Sequence, residues 1–258
     1  MSVFEEYLAK YPLPDNLYHY TNGNAILGIA KNKELWASHI LYLNDRTEFN
    51  FTFEKIRNKK KIKDKRNIVK FLFDDIEKED VYVLSFSSEK DKLNMWKKYT
   101  DMNPGYCVSF NSSLLPDNTD DYKIQIGRVT YNDKEQKEFL KAIEKEVKNT
   151  TNDESSYYFE YYEKLLEVAP FIKNDSFKDE NEWRITIKTK RKNIEIREGK
   201  SAFTPYYPLK INLDVINGIL FGPCGNKEFI EESIYFLCGK YFKNINLSNI
   251  KGSDIPFR

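Results

Sequence analysis

The chain has few residues suited to metal binding or disulfide chemistry. Its 258 residues include three cysteines and two histidines, and no two cysteines form a CxxC pair. Such a scattered, odd-numbered set argues against both a disulfide framework and a structural zinc site. Reduced thiols are typical of the cytosol, so we expect a cytoplasmic protein that holds no metal.

The chain also lacks a long apolar run and a net charge. No stretch approaches the roughly 18 apolar residues of a membrane helix, and the first 21 residues are acidic where a signal peptide is basic. We therefore expect no membrane association. With 41 basic and 40 acidic residues, no overall field attracts nucleic acid, although the basic run at 59–66 leaves a local patch open.

The composition indicates a globular chain that is rich in tyrosine. Hydrophobic residues make up 40% and charged residues 31%, and no linker or repeat interrupts the sequence. We therefore expect a single domain over residues 1–258. The 18 tyrosines are more than a core requires, which favours a ligand cleft or an interface for some of them.

The order of the predicted elements is typical of an α+β protein. Strands are expected at 17–21, 35–40, 81–87, 105–111, 123–131, 182–189 and 219–222, and 194–197 is expected to pair with 182–189. Helices are expected at 3–10, 25–30, 45–56, 68–77, 93–99, 134–169 and 228–242. This order does not alternate as a regular βαβ repeat does, so it favours the α+β class.

The first candidate site segment is the strand at 17–21. His19 and Thr21 should face one way, while Tyr18 and Tyr20 should face the other, because side chains alternate along a strand. Two interpretations remain open for this segment. It is either a polar strand at a sheet edge or part of a binding site.

The second candidate segment is the end of the strand at 81–87. Ser85, Ser87 and Ser88 place hydroxyl groups at the end of this strand, and the following helix carries Trp96 and Tyr99. The hydroxyls could cap this helix, which is the commoner arrangement, or they could bind sugar or phosphate oxygens.

The third candidate segment is the acidic cluster at 179–182, where Glu182 enters a strand. Acidic strand starts are usually solvated, but a glutamate that faces a cleft can stabilise a cationic sugar. Arg184 follows two positions later and could contact a phosphate or pair with a surface carboxylate.

Taken in order, these motifs resemble an uncharacterised bacterial domain family that occurs among toxin and phage-defence genes. The matching motifs are LYHYT, LWASHILYLND, VLSFSSEKDKLNMWKKY, GYCVSF, FKDENEWRI, FGPCG and IPFR. The resemblance covers nearly the whole chain. It implies a toxin or defence effector, with an antitoxin as a candidate partner.

The motif order is also similar to that of the ADP-ribosyltransferase superfamily. YHYT resembles the histidine motif, SFSS with MWKKY lies where a strand of hydroxyl and aromatic residues is expected, and NEWRI resembles the strand that begins with the catalytic glutamate. The second motif departs from a clean tyrosine pattern. The resemblance implies a split β-sheet sandwich flanked by helices, with NAD bound in the cleft.

The same resemblance implies roles for particular residues. His19 would bind the adenine-side ribose, and Glu182 would bind the 2′-hydroxyl of the nicotinamide ribose and stabilise the cationic sugar formed on cleavage. Tyr20 or Tyr99 would stack on nicotinamide. The residues expected to bind the cofactor are Tyr18, Tyr20, Thr21, Ser87, Trp96, Tyr99 and Arg184.

Three alternatives to ADP-ribosyl transfer to a protein or nucleic-acid acceptor remain open. They are an NAD glycohydrolase that uses the same site, a non-catalytic binding module of the same fold, and a nucleic-acid binder that uses the run at 59–66. The transferase hypothesis predicts that His19, Ser87 and Glu182 meet in one concave site. Burial of Glu182 with a raised pKa would be consistent with such a site.

Overall fold

The computed structural model describes residues 2–43, 51–52, 79–100, 104–199 and 202–256. The expected helices at 45–56 and 68–77, the basic run at 59–66 and the last two residues of IPFR lie outside these ranges, apart from residues 51–52. The α-helices whose bounds lie within the described ranges are α1 Val3–Ala9, α2 Gly23–Asn32, α3 Leu93–Tyr99, α4 Asp133–Thr150, α5 Glu154–Val168 and α6 Lys227–Tyr241.

Ten strands in the described residues join in one mixed sheet. They are β1 Asn16–Thr21, β2 Glu34–His39, β3 Glu79–Ser87, β4 Tyr106–Asn111, β5 Tyr122–Arg128, β6 Glu182–Lys190, β7 Glu195–Glu198, β8 Phe203–Lys210, β9 Ile216–Phe221 and β10 Ile250–Gly252. Helices and a large sheet that are not arranged as a βαβ repeat confirm the α+β class.

The sheet forks at strand β3. Strand β6 pairs with β3 along its whole length, so β1 and β2 must share the opposite edge. Strand β2 pairs there at Tyr82 and Val83, and β1 pairs at Ser87. Two branches therefore diverge from one edge of β3. Strands β1, β4, β9 and β10 form one branch, and β2, β8 and β7 form the other.

One face of the sheet forms the main core. The alternating residues Leu17, Phe86, Val108 and Trp183 all point to this face and are buried. Helices α2 and α6 cover it through residues such as Ile26 and Ile234. Burying a large apolar side chain stabilises a fold by roughly 1.5–3 kcal/mol, so this face fixes the pairing register of the strands.

The opposite face is covered by the remaining helices. Helices α1, α4 and α5 pack together around Phe4, Ile143, Leu165 and Phe171, and α3 covers strand β1 with Trp96. Among the residues that the structure describes, no helix combines the length and the hydropathy needed to cross a membrane.

One strand pairing and one helical region differ from the sequence-based expectation. The segment 194–197 was expected to pair with the strand at 182–189, but β7 pairs with β8, a strand that the pattern did not predict. The physical reason is that both edges of β6 are already paired, one with β3 and the other with β5. The region 134–169 forms two helices, because Asp153 caps the start of α5.

Gly127 on β5 provides a test of how tightly the second face is packed. An added Cβ would lie 2.4 Å from Leu8 Cδ2 and 2.9 Å from Phe171 Cε1. Because Phe171 is fully buried, we expect Gly127→Ala to lower the free energy of unfolding by about 1–3 kcal/mol in urea titrations. Gly28→Ala is the control. Nothing lies within 4 Å of its added Cβ, and helix α2 should gain about 0.5–1 kcal/mol. Equal effects of the two changes would contradict the packing argument.

Candidate functional site

Three adjacent strands bring predicted site residues into one row. Tyr18 on β1 lies opposite Ser87 on β3, and Ser87 lies opposite Glu182 on β6. Residues directly opposite each other in antiparallel strands point to the same face of the sheet. Three residues from three distant motifs therefore stand side by side on the face that helix α3 covers.

Helix α3 adds the predicted aromatic residues to this face. Trp96 packs edge-on against Tyr20 with ring centroids 5.0 Å apart, and both rings are buried. The Tyr20 hydroxyl donates to the carbonyl oxygen of Glu89 and accepts from the amide of Lys92. The polar atom of Tyr20 thus ties down the segment before α3.

Among the aromatic residues predicted to bind the cofactor, Tyr18 and Tyr99 remain partly accessible. Both pack at the edge of the cluster formed by Tyr20, Trp96 and their neighbours. Of the two tyrosines expected to stack on a cofactor, Tyr99 keeps surface available and Tyr20 does not.

His19 and Thr21 lie on the opposite face of the sheet. The His19 ring contacts Phe86 of the main core at 5.7 Å between centroids, and its Nδ1 donates to the carbonyl oxygen of Ser85 at 3.0 Å. The structure thus brings Ser87 and Glu182 together but does not place His19 with them on one face. The reason is strand alternation, because Leu17 faces the core and His19 must follow it.

His19 nevertheless lies at the fork of the sheet. Ser85 stands between the residues of β3 that pair with β2 and the residue that pairs with β1. Its carbonyl oxygen accepts from a side chain at this point of the strand. Burial lowers the pKa of His19, so the imidazole is neutral at pH 7.

Glu182 is the centre of a buried ion cluster. Its Oε1 accepts from Arg184 Nε at 2.7 Å, and its Oε2 accepts from Arg184 Nη2 at 3.0 Å and from Lys173 Nζ at 2.9 Å. Arg184 also donates from Nη1 to the carbonyl oxygen of Pro170. The expected contact of Arg184 with a surface carboxylate or a phosphate is thus replaced by a pairing with the predicted catalytic residue.

A second glutamate completes the cluster from the turn before β6. Glu180 Oε2 accepts from Lys173 Nζ at 2.6 Å, and its Oε1 accepts from the Tyr99 hydroxyl at 2.8 Å and from Lys98. Asn181, with φ 44°, lies between the two glutamates. Asparagine tolerates this left-handed backbone better than most residues, and the conformation lets both carboxylates reach one lysine.

The main chain around this turn is also anchored. The Ser87 hydroxyl donates to the carbonyl oxygen of Glu180 at 2.7 Å, and the amide of Glu182 donates to the Tyr131 hydroxyl at 3.1 Å. Ser87 therefore positions the turn that carries the acidic cluster. This contact explains why a hydroxyl group ends strand β3. The sequence favoured capping of helix α3 by these hydroxyls, but Lys92 is the N-cap residue and no side chain caps the helix.

The surroundings of Glu182 determine its charge. Burial raises the pKa of the carboxyl, but Arg184 and Lys173 outweigh this effect and lower the pKa to about 2. Glu182 is therefore buried, but its pKa is lowered and not raised. The physical reason is that Lys173, nine residues earlier in the sequence, contacts the same carboxylate. The sequence alone did not show this contact.

Lys173, Glu180 and Lys98 were not among the site residues predicted from the sequence. Lys173 follows the apolar run at 168–172 and is 1% exposed, which is unusual for lysine without a carboxylate partner. A lysine that ends an apolar run was the available signal, together with the second glutamate of the cluster at 179–182. Among the described residues, no group of three or more histidine, cysteine, aspartate and glutamate side chains could hold a metal.

Removing the buried lysine should be much more costly than removing the exposed one. Lys173→Met leaves two buried carboxylates short of a cation, so we expect a loss of about 3–5 kcal/mol in the free energy of unfolding. Lys98 contacts the same Glu180, but its side chain is 44% exposed. Lys98→Met should therefore cost no more than about 1 kcal/mol. Chemical denaturation of both variants measures the difference, and similar losses would show that burial does not govern the cluster.

The ionisation of Glu182 predicts how stability depends on pH. Its pKa is about 2 in the folded chain against 4.5 for the free side chain, so its contribution is present above about pH 4.5 and is lost as pH falls towards 2. The difference in unfolding free energy between the parent and Glu182→Gln should shrink by about 3 kcal/mol from pH 5 to pH 2. A difference that stays constant over this range would mean that the carboxyl is not held ionised.

Comparison with known proteins identifies the region that carries this cluster. Comparisons with curated proteins and with solved structures give no match. A family model described as "Protein of unknown function (DUF2971)" matches residues 95–185. The span includes Trp96, Tyr99, Lys173, Glu180 and Glu182, and it confirms the expected resemblance to an uncharacterised domain family. Residues 95–185 of this chain are thus similar to a domain family whose function is unknown.

Proposed function

We propose that the chain is an NAD-dependent ADP-ribosyltransferase with a split-sheet fold of that superfamily. The observation that carries the proposal is the row of Tyr18, Ser87 and Glu182 across three adjacent strands. Each residue belongs to a different one of the three motifs. Residues that are 69 and 95 positions apart (87 − 18 and 182 − 87) become neighbours on one face of the sheet, which supports the proposal.

The chemical role of Glu182 follows from its charge. Cleaving the bond between nicotinamide and ribose produces a sugar with oxocarbenium character, and a fixed carboxylate favours that positive charge. Such a carboxylate must be ionised, and the pKa of about 2 supplies this condition at neutral pH. Arg184 and Lys173 hold the group rigidly, which limits its reorganisation during the reaction.

The cofactor would approach Glu182 from the side where Tyr18 and Tyr99 remain partly exposed. Their rings supply flat surfaces for the nicotinamide ring. Tyr20 and Trp96 support these rings from below, and Ser87 holds the glutamate turn. His19 acts as a positioning residue at the fork, because its ring lies on the other face.

Binding of the ribose hydroxyl by Glu182 requires a change in the ion cluster. A carboxylate offers about four acceptor positions, and Arg184 and Lys173 occupy three of them, while the Ser85 hydroxyl also contributes a hydrogen bond. Lys173 bonds to both glutamates. If Lys173 gave up its bond to Glu182 and kept only its bond to Glu180, one acceptor position on Glu182 would become free.

The second candidate function is a non-catalytic binding module of the same fold. The observation that favours it is that Glu182 is 5% exposed and fully paired within the chain. In this case the ion cluster stabilises the fold, and the partly exposed tyrosines bind a nucleotide or a partner.

The proposed reaction also needs an acceptor for ADP-ribose. A protein or nucleic acid would accept ADP-ribose, or water would accept it in an NAD glycohydrolase. The resemblance to a toxin and defence family suggests a cytoplasmic effector with an antitoxin as partner. These roles depend on the acceptor, and the sequence around Glu182 does not specify one.

Nicotinamide release from NAD tests the proposal. The purified parent should release nicotinamide, and Glu182→Gln should reduce the rate roughly a hundredfold or more. Tyr99→Ala should raise KM, because it removes a ring that stacks on the cofactor. The matched control is Glu195→Gln on strand β7, an exposed glutamate outside the cluster, which should leave the rate unchanged.

The assay also separates the candidate functions. Far-UV circular dichroism of each variant identifies a rate loss that is due to unfolding. Release that requires cell lysate, with label from NAD appearing on a macromolecule, indicates transfer, and release without lysate indicates hydrolysis. Absence of release from the folded parent under both conditions would contradict the proposal and favour the binding module.

A further inference from the structure

Helix α6 has apolar side chains on two faces. Ile234 and Cys238 are buried against the main core, as in an ordinary surface helix. Phe229 and Phe236 point away from the core and are 65% and 83% exposed. A helix in contact with water on its outer face normally places polar residues there, whereas these two phenylalanines, seven residues apart, lie on the same outer side of α6.

The outer face of α6 has a definite pattern. We call it the outer stripe, and its exposed residues are Phe229, Glu232, Ser233, Phe236, Gly239 and Lys240. Their spacing of three and four residues places them along one side of the helix. A cavity of about 560 Å³ runs beside the stripe, between α6 and the start of α2, and Phe236 and Lys240 are among its lining residues.

Gly239 is unusual for its position in the stripe. It lies inside the helix, where glycine is less favourable than alanine, yet a Cβ added there meets no atom within 4 Å. Packing within the chain therefore does not require glycine at this position. The absence of a side chain allows another backbone to approach the helix closely.

We propose that the outer stripe is the contact surface between two copies of this chain, paired antiparallel about a two-fold axis at Phe236. In such a contact, each residue faces the residue of the second copy that lies equally far from Phe236 on the other side, so the two residue numbers add up to 472. Glu232 then faces Lys240, and Ser233 faces Gly239. Phe236 packs against its own counterpart on the axis.

The charges and sizes along α6 fit this arrangement. The acidic and basic residues of the stripe lie on opposite sides of Phe236, so antiparallel pairing brings opposite charges together twice. The small residues Ser233 and Gly239 face each other on both sides of the Phe236 pair, where they leave room for the two rings. Phe229 reaches past the end of the second helix towards Lys243, whose aliphatic stem can cover the ring. Parallel pairing would place like charges together instead.

The test is the oligomeric state of the full chain by sedimentation velocity over a concentration series. The parent should sediment as a reversible dimer. Glu232→Lys or Lys240→Glu alone should raise the dissociation constant at least about tenfold, because each creates two like-charge contacts. The double variant should restore the dimer, since the opposite charges are only exchanged between sides.

A cysteine experiment tests the register independently of charge. Ser233→Cys and Gly239→Cys are prepared separately with Cys224→Ser, because Cys224 is the only native cysteine that is not buried. Mild oxidation of their mixture should link one copy of each, and either variant alone should link far less.

The hydrophobic part of the contact has its own variant and control. Phe236→Asp should give a monomer, while Phe203→Asp, which alters a residue 75% exposed on strand β8, should leave the dimer intact. A parent that is monomeric at every concentration would overturn the proposal. A dimer that survives Phe236→Asp and both single charge reversals would also overturn it. The result does not depend on whether the chain cleaves NAD.

Discussion

Lys173 and the two glutamates that it joins connect most of the structure around the candidate site. The ammonium group of Lys173 contacts Glu180 in the turn before β6 and Glu182 at the start of that strand. Arg184 extends the cluster to the main chain after α5, and Lys98 and Tyr99 extend it to α3. Charges buried in this way are tolerated only because each has partners, so the elements that supply them must pack together.

This dependence couples the stability of the fold to the properties of the site. The cations that offset the burial of Glu182 also keep its carboxyl group ionised. A carboxyl group must be ionised if it is to stabilise a cationic sugar. The same cations occupy the carboxylate oxygens of Glu182. Binding of a ribose hydroxyl requires that one of these oxygens is available. Whether the cluster serves catalysis or only the fold therefore depends on how readily Lys173 shifts between its two glutamates.

The two faces of the sheet have different functions in this arrangement. The main core is apolar and fixes the register of β1, β3 and β6, and through that register it sets Tyr18, Ser87 and Glu182 in one row. Helix α6 belongs to the other side of the molecule, where it closes the core and presents the outer stripe. The candidate site and the candidate dimer surface thus lie on opposite faces, and neither needs the other to form.

Local patterns in the sequence determined many elements and their side-chain directions. The helix at 93–99 and the strands around 17–21, 81–87 and 182–189 follow from apolar periodicity and nearby turn residues, which act over a few positions. Alternation likewise predicted that His19 would face away from Tyr18 and Tyr20. It did not say which of these faces Glu182 would share, because that depends on pairing between distant strands.

The tertiary structure decided the features that depend on distant partners. Strand β7 pairs with β8 because β6 has no edge left, and a sequence pattern does not contain the occupancy of strand edges. The pKa of Glu182 is lowered because Lys173 and Arg184 converge on it, whereas burial alone would have raised it. The sequence by itself determined the class of fold, which follows from local periodicity, and it gives the order of the motifs directly. The charge state and the neighbours of the candidate catalytic residue were decided by long-range packing, because electrostatic interactions depend on distance in space.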